Sequence, residues 1–479
     1  MPGSLALIDH VVVLMLENRS FDHMLGFLYT DAGNVSASGQ AYEGLTGTES
    51  NPDGKGGSVA VFRIGAQTPN AYLMPGVDPG EGFLATNAQL FGSTSAPASP
   101  PAVSNRGFVA DFASTLALAT KKHPDEIVPG TQASDIMGCY GPEMLPILSG
   151  LARGYAVCDQ WFASAPTETL PNRAFACAGT SQGHLDDSTH SFTVPSIFGA
   201  LGKAGVSWQV FGYSAPPLTR GDFPDTLAAD DSHFGLFTDF QAAAAAGTLA
   251  SYTFLEPAWS GAGQNDQHPV SDVAAGEQLI HDVYYALHKG PAWPATLLIV
   301  TYDEHGGCFD HVAPPWSATP PDPSAGEFGF DFRRFGVRVP TVLVSPLIEA
   351  GTVFRVGAGA TPLDHTAILR TLEMRFGIAP LTARDAAASD LSAALTLTTP
   401  RTDDPLLGVA VPVSGTVKPA ADKPTHLQMV QAQMAARLPM PDASVGVHED
   451  LPNQATASEM EAYIVDRDRR WRAGRAPGK

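Results

Sequence analysis

The sequence predicts an α/β protein built on a central, mostly parallel sheet. Two patterns predict it. Short apolar or β-branched runs are bounded by polar or Gly/Pro-rich turns, and between them lie segments whose apolar residues recur at helical spacing. Alternation of the two is what strands joined by crossover helices produce.

The expected buried parallel strands are HVVVLML (10–16), YAVCDQWF (155–162), SWQVF (207–211), ATLLIVTY (295–302) and VPTVLVS (339–345). The expected helices are EMLPILSGLARG (143–154), PSIFGALGKAG (195–205), DVAAGEQLIHDVYYALHKG (272–290) and TAILRTLEMRFG (366–377). Residues 27–110 are rich in Gly, Ser, Pro, Asn and Thr, with little periodicity, and are expected to run as long excursions over the strand ends. WSATPPDPSAGEFGFD (316–331) reads as another loop. A catalytic domain over 1–400 is expected, followed by a docked, non-catalytic segment over 401–479. That segment is Pro-rich and irregular to about 455 and ends in the helix SEMEAYIVDRDRRWRAG, with Thr456 or Ser458 near its N-cap. In a parallel sheet the ligand crevice lies beyond the carboxyl ends of the strands, so polar residues directly following a strand carry the search.

Composition narrows the chemistry. Apolar residues make up 44% of the 479 residues and charged ones 16%, the balance of a soluble globular chain, and no apolar run approaches the ~18 residues of a membrane span. With 28 Lys+Arg against 49 Asp+Glu, net −21, nucleic acid and anionic membranes are repelled on average. Any lipid encounter would favour zwitterionic interfaces. A phosphate-handling site must therefore draw a local positive field from a metal and a few histidines. Cys139, Cys158, Cys177 and Cys308 are widely spaced and read as buried small hydrophobes. The start MPGSLALIDH lacks the regions of a secretory signal, so the expected location is cytoplasmic, or outside the cell by a leaderless route. Oligomeric state leaves no signal.

Three places carry chemistry. Glu17-Asn18 directly follows HVVVLML and offers oxygen donors suited to a hard divalent cation, although such positions are ordinarily turns or helix caps. Asp303-Glu304 follows ATLLIVTY, with His305, Asp310 and His311 close behind; so many ionisable groups after a buried strand need a metal or partner to offset desolvation. In FASAPTETLPNRAFACAGT, the hydroxyls of Thr167 and Thr169 precede Pro171-Asn172-Arg173. A metal-activated hydroxyl there could attack phosphorus, and a helix starting at that point would favour phosphate.

Together ENRSFDHMLG (17–26), TLPNR (169–173) and YDEHGGCFDHVAPP (302–315) resemble the bacterial and plant phospholipase C and acid phosphatase family. The resemblance covers most of residues 8–378 and extends to YTFLEP, NDQHPVSDVAAGE and DHTAILRTLEMRFG. It implies an alkaline-phosphatase-like α/β core holding one divalent ion through Glu17, Asn18, Asp303, Glu304 and the nucleophile's hydroxyl. Thr169 is the nucleophile it implies, with Thr167 as runner-up. His268 matches the family histidine that protonates the leaving alcohol, and His233 more weakly matches a second phosphate-contacting histidine. Asn18 would also touch substrate. Glu81 departs from the pattern, since many relatives carry a phosphate-contacting histidine nearby; a carboxylate there must be protonated, paired or turned away. Oxygen ligands favour calcium, magnesium or manganese, with zinc also compatible.

The expected reaction is phosphodiester hydrolysis on phospholipid head groups through a phosphothreonine. The alternatives are an acid phosphatase acting on monoesters and an inactive phosphate- or lipid-binding relative. A sulfatase would need a CxPxR-type context, which is absent.

Overall fold

The computed structural model describes residues 3–101, 104–188, 192–261, 263–415, 422–436, 438 and 455–475. The central sheet comprises His10–Leu16 (β1), Ala156–Val157 (β2), Trp208–Gly212 (β3), Phe234–Leu236 (β4), Tyr252–Leu255 (β5), Thr296–Tyr302 (β6), Thr341–Val344 (β7) and Thr352–Val353 (β8). Their spatial order is β8-β2-β7-β6-β1-β5-β3-β4. All run parallel except β7, which is antiparallel to both β6 and β2. Strands β1 and β6 occupy the middle, covered on both faces, which is why both read as unbroken apolar runs and are buried along almost their whole length.

Helices Phe21–Leu25 (α1), Phe83–Phe91 (α2), Phe108–Lys122 (α3), Pro146–Gly154 (α4), Thr169–Ala178 (α5), Val273–His288 (α6) and Thr366–Phe376 (α7) pack around this sheet and its strand ends. Glu277 on α6 ties two of them together: its buried carboxylate accepts the N–H groups of Ile147 at 2.7 Å and Leu148 at 3.0 Å, two donors that the first turn of α4 leaves orphaned. The helix at 195–205 forms as Ile197–Lys203.

Three expectations change. VPTVLVS is a strand but not a parallel one. The loop after β6 leaves and returns at the same end of the sheet, so β7 runs back without a crossover. Residues 27–110 are more than excursions: they supply α2, the first residues of α3, the small sheet Ser50–Pro52 with Ser58–Ala60, and the strand Phe62–Ile64, which pairs with Gly138–Tyr140. Phe27, Leu45, Val61, Phe108, Phe112 and Met137 give this lobe a core of its own.

Beyond residue 400 the chain is partly integral. Leu406 joins the main core, and Asp404 accepts bonds from Tyr284 and Tyr285. Residues 416–421, 437 and 439–454 of the expected irregular stretch lie outside the described residues. Two helices follow, His426–Ala436 (α8) and Ala457–Arg475 (α9), packed on each other. Thr456 Oγ1 accepts from Glu459 N while Glu459 Oε2 accepts from Thr456 N, a reciprocal box that makes Thr456 the N-cap. Among the described residues no helix is long and apolar enough to cross a membrane. All four cysteines are buried and unpaired with one another.

Candidate active site

Strand register builds the centre of the site. Leu16 of β1 pairs with Tyr302 of β6, so Glu17 and Asp303 leave the sheet side by side at its carboxyl edge. Asn18 then adopts a left-handed conformation, φ 51°, which a short amide side chain tolerates. Its backbone N–H donates to Asp303 Oδ1 at 3.0 Å, and Glu304 N donates to the same oxygen at 2.7 Å. Glu17, Asn18, Asp303 and Glu304 are all fully buried. His365, at the start of α7, locks the turn from below: its Nε2 donates to the Asp303 carbonyl at 2.6 Å, and its Nδ1 accepts from Trp161. Burial lowers the His365 pKa, which suits the neutral ring this pairing needs.

Helix α5 meets this edge with its first turn. Thr169 and Arg173, four residues apart, share one face, and both reach Glu17. Thr169 Oγ1 lies 3.1 Å from Asn18 Oδ1 and 3.3 Å from Glu17 Oε2. Arg173 Nε lies 3.1 Å from Glu17 Oε1 and 3.2 Å from Asp303 Oδ2, while its Nη2 bonds Glu17 Oε1 and the Met15 carbonyl. Asn172 pins the preceding turn, accepting from Ala165 N and donating to the Thr167 and Glu168 carbonyls. Thr167 itself donates to the Leu185 carbonyl at 2.5 Å and does not face the carboxylates, so the runner-up nucleophile is set aside. Thr169 is 1% exposed, with its hydroxyl turned to polar neighbours and not to the apolar core.

Burial pushes Glu17 well above the usual carboxylate range, Asp303 adding to the shift and Arg173 opposing it. Glu304 is raised for the same first reason, with Asp303 next. Burial works against the charge of Arg173, but Glu17 and Asp303 outweigh it and hold its pKa above that of an ordinary arginine. Three buried carboxylates thus gather at this edge, and the one guanidinium bonds two of them, Glu17 and Asp303. Ionised, they leave an excess of two negative charges, which a divalent cation would match. Glu304 Oε1 is buried with no hydrogen-bond partner among the described residues, and the available donors are all oxygens. The residues therefore fit a hard divalent ion. Glu304 Oε2 is already engaged, accepting from Gly306 N at 2.8 Å and lying 3.1 Å from His305 Nδ1.

Two other acid and histidine trios come close enough together to hold an ion, Asp78-Glu81-His268 and Asp22-Asp310-His311. The first adjoins the centre. Asn18 Nδ2 donates to Glu81 Oε2 at 2.5 Å, and His268 Nε2 lies 3.8 Å from that same oxygen. Burial, followed by Asp78 and Glu304, raises Glu81 well above the carboxylate range. The carboxylate that departs from the family pattern is thus both paired and inclined to hold a proton. A chain through Glu81 and Asn18 links His268 to Thr169.

The second trio is closed by a cation of its own. Arg338 Nη2 donates to Asp22 Oδ1 at 2.8 Å and Nε to Asp310 Oδ1 at 3.0 Å, and His311 Nδ1 meets Asp22 Oδ2 at 2.6 Å. Burial pushes Asp310 up to about 6 despite the pull of Arg338. His305 Nε2 pairs with Gln89 Oε1 at 2.7 Å, and burial pushes this ring down to about 3. The ionisable cluster after Glu304 is thus mainly a clamp between loop and α1.

His233 needs correction as a phosphate contact. It precedes edge strand β4 at the amino end of the sheet, its ring stacked on Trp208 at 3.8 Å and its Nδ1 2.8 Å from the Trp208 carbonyl. Trp208 pairs with Tyr252, which pairs with Val11, six residues before Glu17, or roughly 20 Å along a strand. Edge aromatic packing explains this histidine.

Sequence reasoning missed Arg173, His365 and Arg338 as site residues. The four-residue spacing from Thr169 could have revealed Arg173. His365 lies in DHTAILRTLEMRFG, a segment of the family resemblance to which no role was attached, and Arg338 is brought in by long-range contacts with no local signal.

Residues 8–379 match the profile of the Phosphoesterase family. Similar proteins include non-specific phospholipase C6 of Arabidopsis thaliana, 34% identical over 95% of this chain and 86% of the relative, and non-specific phospholipase C3 of the same plant, 34% identical over 83% and 75%. Phospholipase C A of Mycobacterium tuberculosis is 28% identical over 83% of this chain and 79% of the relative. Among solved structures, an alkaline phosphatase superfamily protein from Vibrio parahaemolyticus aligns with 52% of this chain and 64% of that one at 14% identity and TM-score 0.31, a likeness too distant to bear on the reaction.

Proposed function

The chain belongs to the phosphoesterase family and is a hydrolase of phosphoester bonds, and from that premise we propose a phospholipase C-type phosphodiesterase with Thr169 as nucleophile. One observation carries the reading: Thr169 Oγ1 meets both Glu17 Oε2 and Asn18 Oδ1 at the carboxyl edge of the sheet. Glu17, made more basic by burial, takes the hydroxyl proton across that contact. The Thr169 oxygen bonds to phosphorus, the bond to the alcohol breaks, and His268 gives its proton to the departing oxygen. In the second half His268 accepts a proton from water, whose oxygen displaces Thr169 from phosphorus, and Glu17 returns the proton to the threonine. The sum is diester plus water to monoester plus alcohol.

Arg173 holds Glu17 Oε1, leaving Oε2 for the hydroxyl. A divalent cation held by Glu17, Asn18, Asp303 and Glu304 would lower the pKa of the Thr169 hydroxyl and neutralise charge on the phosphoryl oxygens.

The phospholipases C among the relatives support diesters over monoesters. Turnover of p-nitrophenylphosphorylcholine is expected to exceed that of p-nitrophenyl phosphate at least tenfold; the reverse order would favour the acid phosphatase reading. Dialysis against a chelator is expected to abolish turnover, with calcium, magnesium or manganese restoring it. Full activity in protein shown metal-free by elemental analysis would reject the ion.

A further inference from the structure

A cavity of about 460 Å³, within the range of small-molecule sites, is lined by His268, whose Nε2 lies 3.8 Å from Glu81 Oε2. Four separate stretches of chain build it, and Asp78, Lys122, His123 and Glu126 set ionisable groups among its apolar side chains. Helix α3 contributes Thr115, Leu118, Ala119 and Lys122, which at spacings of three and four residues share one helix face. Val77 and the pair Pro269-Val270 form a second apolar wall, and Pro424, Thr425 and His426 form the third. Leu118, which lines this cavity, is a large apolar side chain left 52% exposed.

The third wall is firmly held. Thr425 Oγ1 donates to the Trp259 carbonyl at 2.9 Å, and Lys423 Nζ bridges to Asp125 at 2.7 Å and Glu126 at 3.0 Å, joining the tail to the loop after α3. Behind it Leu427, Val430 and Met434 of α8 pack on Trp259 and on Leu170, the residue after Thr169.

We infer that this cavity receives the alcohol half of the substrate, an apolar diacylglycerol-type alcohol, and that the C-terminal segment Lys423–His426 is part of the active site. The inference rests on the phosphodiesterase reading above. In-line displacement sends the leaving oxygen away from the nucleophile, and the group that protonates it marks the side on which the alcohol departs. His268 both lines the cavity and lies 3.8 Å from Glu81, which Asn18 joins to Thr169, so an alcohol released at His268 extends along Leu118 and Val270. The segment expected to be merely docked thereby becomes a wall of the substrate pocket.

The test compares dihexanoylphosphatidylcholine, whose alcohol fills the cavity, with p-nitrophenylphosphorylcholine, whose leaving group is a small ring. In Leu118→Glu, Val270→Glu and His426→Glu the ratio of kcat/KM for the lipid to that for the chromogenic diester is expected to fall roughly tenfold, the discrimination that apolar contacts in a pocket supply. Leu118→Gln, a milder change at an exposed position, is expected to shift the ratio in the same direction, and thermal unfolding of each variant confirms the fold. An unchanged ratio in the Leu118 and Val270 variants would overturn the cavity assignment, and an unchanged ratio in His426→Glu alone would remove the tail from the pocket. A wild-type enzyme that splits the chromogenic diester but not the lipid would also overturn it, whereas one that splits neither would remove the phosphodiesterase reading itself.

Discussion

Thr169→Ala is expected to lower phosphodiester turnover by roughly 10³-fold or more while leaving the protein folded. The side chain does little for stability. Its hydroxyl meets only Glu17 and Asn18, and alanine is a better helix former at the first position of α5. The loss should appear in kcat and kcat/KM alike, since the missing bond is made only during reaction. Thr169→Ser, which keeps the oxygen, is expected to retain far more activity than the alanine variant. Single-turnover measurement with p-nitrophenylphosphorylcholine checks both. Turnover within tenfold of wild type in Thr169→Ala would remove this residue as nucleophile and with it the assignment of the α5 edge as the reaction centre.

The largest expected stability effect lies one shell away, at Arg338. This fully buried guanidinium binds Asp22 and Asp310, donates to the carbonyls of Glu43 and Asp159 at 2.8 Å each, and lies over the Phe21 ring at 4.4 Å. Removing one partner of a buried ionic cluster strands the others in low dielectric, at a cost of about 3–5 kcal/mol. Arg338→Met should therefore shift the urea midpoint strongly downward. Arg338→Lys should rescue only part of the loss, because an ammonium cannot reproduce the planar fork. The clamp joins the loop after Glu304 to α1, so activity is expected to disappear with the fold and not before it. A destabilisation below about 1 kcal/mol for Arg338→Met would show that the network contributes no more than an exposed pair.

Both predictions depend on residues of different legibility. Thr169 was legible only through the family motifs, because a hydroxyl before Pro-Asn-Arg taken alone is ordinarily a helix cap. Arg338 sits in a run, FRRFGVRVP, whose charges look like those of any surface loop. Only its burial against Asp22, more than three hundred positions away in the chain, gives it a function. His233 erred in the opposite sense: it weakly matched a second phosphate-contacting histidine of the family, but strand direction sends it to the amino end of the sheet. Glu81 was open in three ways, and the structure pairs it with Asn18.

What the sequence determined by itself was everything governed by short-range patterning. Most apolar runs of strand length became strands, although YAVCDQWF kept only Ala156–Val157, the alternation with helical periods became an α/β layer structure, and polar residues directly after β1 and β6 marked the carboxyl edge, because side-chain periodicity and burial are local properties of the chain. The tertiary structure alone decided which of those residues meet. The register of β1 against β6 set Glu17 beside Asp303, the return of the loop after β6 made β7 antiparallel, and the docking of α8 brought Lys423–His426 to the cavity at His268. These choices depend on contacts between residues far apart in sequence, whose energies come from packing and desolvation summed over the whole core, and no local window contains them.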